Sequence, residues 1–244
     1  MMNKKQKAPT KIPRTSIGGI FRLLSRLPFF DKRSRKYSVK ALLTDLEPRT
    51  KIWECGIWLD QGQEGACTGF SVCHEAAAAP VEVQDIINET AFDVYKRAKQ
   101  IDKWPGEDYE GSSVLAAIKV GKERGWYEEY RWAFSIEDLV LSVSNLGPAV
   151  LGISWHEGMR TPDNTGYIHP TGKKLGGHAI LCLGYDLGKD SFLLHNSWGK
   201  NWGTSGRCWI KKDDLAKLLK KKGEACIPTK RLLPDSNKES LLLS

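Results

Sequence analysis

Residues 60–79, DQGQEGACTGFSVCHEAAAA, run a Gly-rich polar loop without a break into a helical segment of small side chains. Gly62 and Gly65 permit a tight path with positive φ, while Phe70, Val72, Cys73 and the four alanines at 76–79 are helix formers and small packing residues. The loop ends at Cys67, which therefore falls in the first helical turn. Unpaired backbone N–H groups and the positive end of the helix macrodipole favour an anion there, so this thiol is expected to lose its proton more readily than free cysteine. Gln61, six residues earlier, is close enough along the loop to aim its side-chain NH₂ at the same space and steady an oxyanion. Packing is the commoner fate of a helical Cys, since free cysteine is among the most buried residue types. A nucleophile also needs a base and an orienting group from elsewhere in the chain.

With 244 residues, 41% of them hydrophobic, the chain can bury a full core in one large domain or two small halves. No window has the length of apolar sequence a membrane span needs, and residues at the N-terminus do not read as a secretory signal, so a reducing, cytoplasmic setting is expected. Cysteines 55, 67, 73, 182, 208 and 226 form no CxxC pair and no Cys/His zinc spacing. No metal site is expected, and all but Cys67 read as buried thiols. Residues 1–50 hold 13 Lys and Arg against 3 acids, which leaves 24 basic and 26 acidic residues for the remainder. The basicity belongs to the N-terminal extension. Such an arm can bind nucleic acid or an assembly partner by charge, although blocks of like charge more often stay a solvated, flexible leader.

Residues 1–15 are Lys-rich, contain Pro9 and Pro13, and are expected to be disordered. Residues 16–30 space Ile17, Ile20, Phe21, Leu23, Leu24 and Leu27 as a short amphipathic helix would, one that docks on the protein's own body, a partner groove or a membrane surface. Further helices are predicted over 67–79, over 89–101 and from a Ser112 or Ser113 cap to Gly125. The second half changes period. Residues 148–155, 179–185, 191–196 and 206–211 read as antiparallel strands, with a long loop at 156–177 and a last helix at 213–222. A helical half and a β half should meet along a groove, a usual place for a site.

His178 follows Gly176 and Gly177 and precedes the strand, which puts an imidazole at a strand entrance. Its ordinary pKa near 6.5 suits it to take a thiol proton and return it to a leaving amine. Asn196 ends the next strand, where its carbonyl can fix the imidazole's orientation. Taken alone, a His is about as often a structural hydrogen-bonder, and an Asn before Ser-Trp-Gly is usually a turn residue.

Together these residues resemble the papain-like (C1) cysteine peptidases. QGxxGxCxxFS is present at residues 61–71, GHA at 177–179 and NSWGxxWG at 196–203, in the family's order, and the likeness covers roughly residues 50–228. The resemblance implies an α+β, two-lobed fold: a helical lobe at about 60–140 and an antiparallel β-barrel-like lobe at about 145–228, with the active site in the groove between them. That peptidase domain would occupy 49–228, between a flexible basic extension at 1–48 and a C-terminal tail at 229–244. It further implies Cys67 as nucleophile, His178 as base and later acid, Asn196 as orienter, and Gln61 with the Cys67 N–H as oxyanion hole. Trp198 would cover the His–Asn bond, Trp202 would line the leaving-group side, and Gly111, Ser112 and Gly177 would lie along the substrate backbone. The departures are Thr68 where the family has Trp, Glu64 where it has Cys, and Gly177 where Asp is common. The pattern is most like short intracellular members from bacteria and phages, which would place a phage-encoded chain in the host cytoplasm or the virion. The implied activity is hydrolysis of peptide bonds in a peptide or protein substrate, without a cofactor. Isopeptide or amide substrates, and a vestigial papain-fold binding or assembly protein that uses its basic arm, are the alternatives.

Overall fold

The computed structural model describes residues 14–17 and 20–231. Three helices open the body: α1 (Cys67–Ala77), α2 (Asn88–Ile101) and α3 (Val114–Glu123). A seven-stranded sheet follows, with α4 (Ile136–Asn145) and α5 (Lys212–Lys220) beside it. Its main path is β4 (Tyr127–Ala133), β9 (Glu224–Arg231), β5 (Ala149–His156), β6 (Lys174–Asp186), β7 (Ser191–His195) and β8 (Arg207–Lys211), every pairing antiparallel, and the short β3 (Lys51–Ile52) pairs with β6. A small hairpin, β1 (Arg14–Ile17) with β2 (Ile20–Leu23), lies outside that sheet.

The period-2 alternation of the central strands divides two cores. Val150, Ala179, Leu181, Leu183 and Cys226 face α1, α2 and α3, while Leu151, Ile153, Ile180, Cys182, Ala225 and Ile227 face α4 and α5. With both faces covered, β5 reads as a continuous apolar run. All six cysteines are free and buried. Among the described residues no helix is long and apolar enough to cross a membrane.

Several boundaries differ from the sequence reading. Among the described residues of 16–30 there is no helix: β1 ends at Ile17, β2 ends at Leu23 and an extended segment follows, because that segment finds backbone partners on both walls of the groove. Nor is the extension free up to residue 48. Residues 22–27 are buried, and Leu24, Val39 and Leu43 belong to the sheet-side core. β4 pairs with β9, so the sheet begins before the helical lobe was expected to end. The same pairing carries β9 to Arg231, into the predicted tail; the rest of that tail, and residues 1–13 of the basic arm, lie outside the described residues.

Candidate active site

α1 begins at Cys67 and is preceded by Ala66, whose side chain has no oxygen to cap the helix. No side chain caps the Cys67 and Thr68 N–H groups beside the thiol, while the Gly69 N–H already donates to Ala66 O at 2.9 Å. Every residue of α1 is buried. Gly69 brings α2 against it, since a Cβ there would stand 2.4 Å from the Ala91 carbonyl. Gln61 is fixed from behind: its N–H donates to Ser197 O at 3.0 Å, and Ser197 Oγ donates to its Oε1 at 2.7 Å. That leaves the Gln61 NH₂ facing forward, on Glu64 O at 2.7 Å and Leu23 O at 3.5 Å.

His178 lies within β6 rather than at its entrance, because Gly176 and Gly177 already pair with Trp155 and Ser154 of β5. The two sit where a long loop was expected. The His178 ring places Nε2 2.8 Å from Asn196 Oδ1, and its Nδ1 has no hydrogen-bond partner. Trp155 and Trp198 each pack at 4.9 Å between ring centroids, and Trp202 stands 5.2 Å from Trp198. Cys67 Sγ accepts from the N–H of Ala179, the neighbour of His178, at 3.4 Å. Cys67 at the start of α1, His178 in β6, Asn196 just after β7 and Gln61 in the loop before α1 are thereby linked, through Ala179 and Ser197, into one connected cluster.

A segment of the chain itself fills the groove above them. Arg26 N–H donates to Gly177 O at 3.0 Å, Gly177 N–H to Leu24 O at 3.2 Å, and Leu27 N–H to Ser112 O at 2.8 Å. The walls have no side chains where it passes. A Cβ on Gly111 would fall 1.9 Å from Ser25 O, and one on Gly177 would fall 2.3 Å from Arg26 O, which gives a steric reason for glycine where the family has Asp. The Ser112 side chain turns away to Asp102 at 2.9 Å, while Ser113 caps α3. At one end Arg22 pairs with Asp60, donates to Gly62 O at 2.9 Å and stands 6.0 Å from the Trp198 ring. At the other, Arg26 pairs with Glu224, with Nε at 3.0 Å from Oε1. Both guanidiniums, counted in the basic arm from sequence, are buried in these pairs and turned away from any outside anion.

This cover reverses one electrostatic expectation. Burial holds the Cys67 thiol above its ordinary pKa, against the Ala179 N–H, Ser25 and the Arg26 charge, which favour the thiolate. Burial also pushes His178 down to about 4, opposed by its bond to Asn196 and assisted by Arg22. In the covered groove both groups are neutral. The helix terminus is where the sequence put it, but desolvation outweighs it.

The model of the papain family cysteine protease matches residues 87–225, more than half of the chain. The chain belongs to this family. His178 and Asn196 lie inside the matched stretch, and Gln61 and Cys67 before it. An uncharacterized peptidase C1-like protein of Acanthamoeba polyphaga mimivirus is 21% identical over 193 residues, 61% of this chain and 62% of that protein. Cathepsin B-like cysteine proteinase 4 of Caenorhabditis elegans is 52% identical over 42 residues, 16% of this chain and 12% of that one. The matches therefore span less than two thirds of these relatives. Among solved structures, xylellain, a cysteine protease from Xylella fastidiosa, superposes with a TM-score of 0.65 at 20% identity, covering 91% of this chain and all of that one. Procathepsin B S9 of Trypanosoma congolense gives 0.55 at 14% identity, covering 85% and 87%. The papain-like fold is common to them.

Sequence reasoning did not single out Trp155, Ser197, Arg22, Arg26 or Glu224. Ser197 stood in plain view inside NSWG. The others are joined to the site only by tertiary contacts, and Arg26 and Glu224 are 198 residues apart.

Proposed function

We propose that this papain-family protein is a cysteine peptidase that cleaves peptide bonds once the segment at 22–27 has left the groove. The observation that carries the reading is the convergence of an uncapped helix N-terminus bearing Cys67, the His178–Asn196 pair and the forward-facing Gln61 amide beneath a groove that already holds an extended peptide. The Cys67 thiolate attacks the substrate carbonyl. Negative charge on its oxygen is stabilised by Gln61 Nε2 and the Cys67 N–H, donors that are fixed before reaction. His178 Nδ1, free of other partners, takes the thiol proton and delivers it to the departing amine, and Asn196 holds the ring through Nε2. Water activated by neutral His178 then hydrolyses the thioester.

His178 lies on the Trp198 side of the site, so the leaving amine belongs there and the acyl part lies towards Ser112. A substrate therefore runs from Ser112 to Trp198. The covering segment runs from Arg22 at Trp198 to Leu27 at Ser112, the opposite way. It blocks the nucleophile without presenting a bond in the productive direction. The test is hydrolysis of a fluorogenic peptide library by the full chain before and after limited proteolysis, with Cys67→Ala as control. Turnover that survives Cys67→Ala would sink the mechanism. Equal labelling of Cys67 by a peptidyl electrophile in both forms would sink the covering role.

A further inference from the structure

α2 ends on a carboxylate that no step of the mechanism uses. The Asp102 N–H closes the helix on Ala98 O at 3.0 Å, and the half-buried side chain reaches over the connection to α3. Its Oδ1 accepts from the Trp104 N–H at 3.0 Å, the Tyr109 hydroxyl lies 2.8 Å from both oxygens, and Ser112 Oγ donates to Oδ2 at 2.9 Å. One side chain therefore gathers donors from along the whole of residues 103–112. α2 holds the same stretch at two further places: Tyr95 Oη accepts from the Gly111 N–H at 2.9 Å, and Lys99 Nζ donates to Glu107 O at 2.6 Å. The stretch has no helix or strand of its own, and with all six cysteines free it has no disulfide.

The end of that stretch is the acyl-side wall of the groove. Ser112 O accepts the Leu27 N–H at 2.8 Å, and Gly111 passes beside Ser25. A substrate lying along the same strip would use the same carbonyl. A hydrogen bond weakens steeply once its distance or angle leaves a narrow optimum, so the wall must be set before the peptide arrives. An unsupported loop would be ordered by the peptide instead, at the expense of affinity. Asp102 removes that cost. It draws the Ser112 side chain away from the groove, and with Tyr109 it closes the stretch onto the end of α2, which is itself fixed against the helix of Cys67 at Gly69. Resting on the peptidase reading above, we propose that Asp102 is a positioning residue for substrate binding, one that presets the Gly111–Ser112 strip so that it grips either the covering segment or a peptide. The contact is made to backbone, alike in ground and transition states, so its loss belongs in KM and not in kcat.

The test is steady-state hydrolysis of one fluorogenic peptide by the full chain opened by limited proteolysis, with and without Asp102→Ala, Asp102→Asn, Ser112→Ala and the Asp102→Ala/Ser112→Ala pair. Asp102→Ala should raise KM about 10-fold and leave kcat within about twofold. Asp102→Asn keeps one accepting oxygen and should recover part of that loss. Adding Asp102→Ala to Ser112→Ala should raise KM by a smaller factor than adding it to the parent chain, because the two side chains act as a unit. In the uncleaved chain Asp102→Ala should also speed iodoacetamide alkylation of Cys67, since the cover has lost the same grip. An unchanged KM, a fall in kcat that matches the rise in KM, factors that simply multiply, or an unchanged alkylation rate overturns the proposal and leaves the peptidase reading standing. If urea denaturation shows that Asp102→Ala does not fold, the KM of Asp102→Asn decides, and no rise over the parent overturns the proposal. Absence of turnover by the opened parent chain removes the peptidase reading and this one with it.

Discussion

Replacing Cys67 by alanine in an opened enzyme should lower kcat/KM by about 10⁴-fold or more while leaving peptide binding intact, whereas Asn196→Ala should lower it by about 10- to 100-fold through a misplaced imidazole. Steady-state hydrolysis of one fluorogenic peptide by both variants separates the two roles, and equal losses would remove Asn196 as an orienter. The ionisation of the site should follow its cover. A thiol whose pKa is raised stays protonated at neutral pH, and an imidazole lowered to about 4 stays neutral above it. Uncovering relieves both burial penalties, so the thiol pKa falls, the imidazole pKa rises, and the rate of Cys67 alkylation against pH should move to lower pH. A profile identical in covered and opened protein would contradict this. Cys67, His178, Asn196 and Gln61 were legible in sequence because each lies in a short contiguous pattern at a chain turn or strand. Glu224 was not: a lone acid before Ala-Cys-Ile carries no local sign that an arginine 198 residues away would meet it.

The segment at 16–30 shows how an element can be misread while its apolar residues are read correctly. Leu23, Leu24 and Leu27 are buried as an amphipathic helix would have them, yet the chain is a strand and an extended run. In isolation the period favours a helix. In the groove, Gly177 and Ser112 offer backbone partners to an extended chain, and tertiary pairing prevails over spacing. The helices α1, α2, α3 and α5 and the strands β5, β7 and β8 followed their local patterns within a few residues. Leu24, 2% exposed in the sheet-side core, is the segment's apolar anchor. Leu24→Ala should weaken docking by about 2–3 kcal/mol and raise Cys67 alkylation of the otherwise intact chain by roughly 30- to 160-fold. An unchanged alkylation rate would mean that the segment is held by its ion pairs alone.

At the scale of the whole molecule, two internal charge systems tie distant parts together. His195 donates through Nε2 to Ile57 O at 3.0 Å and accepts through Nδ1 from Arg207 Nε at 3.0 Å, a pattern only the neutral ring can make. Burial and the Arg207 charge push its pKa down to about 4 from an ordinary 6.5. The unfolded chain therefore binds this proton first, and stability is lost as pH falls from 6.5 towards 4. Moving from about pH 7 to about pH 5 should cost about 2 kcal/mol through His195 alone, visible in urea denaturation; a flat stability over that interval would contradict the account. The second system joins β9 to α1. Arg231 Nε donates to buried Glu75 at 2.8 Å, and its two terminal nitrogens donate to Leu146 O and Pro148 O at 3.1 Å each. Arg231→Met strands that carboxylate and should cost about 3–5 kcal/mol, part of it recovered by adding Glu75→Gln. No recovery in the double variant would assign the loss to the carbonyl contacts instead.

The Arg26–Glu224 pair also bears on how such a protein can vary over generations. One buried carboxylate, Glu224, is the latch for the covering segment. A neutral residue at 224 would unfasten the cover from one side, and a neutral residue at 26 would unfasten it from the other and leave a buried carboxylate without its partner. Latch and catch are constrained together, so among descendants of this chain an acid at 224 should travel with a base at 26, and lineages that lose one should be found losing the other.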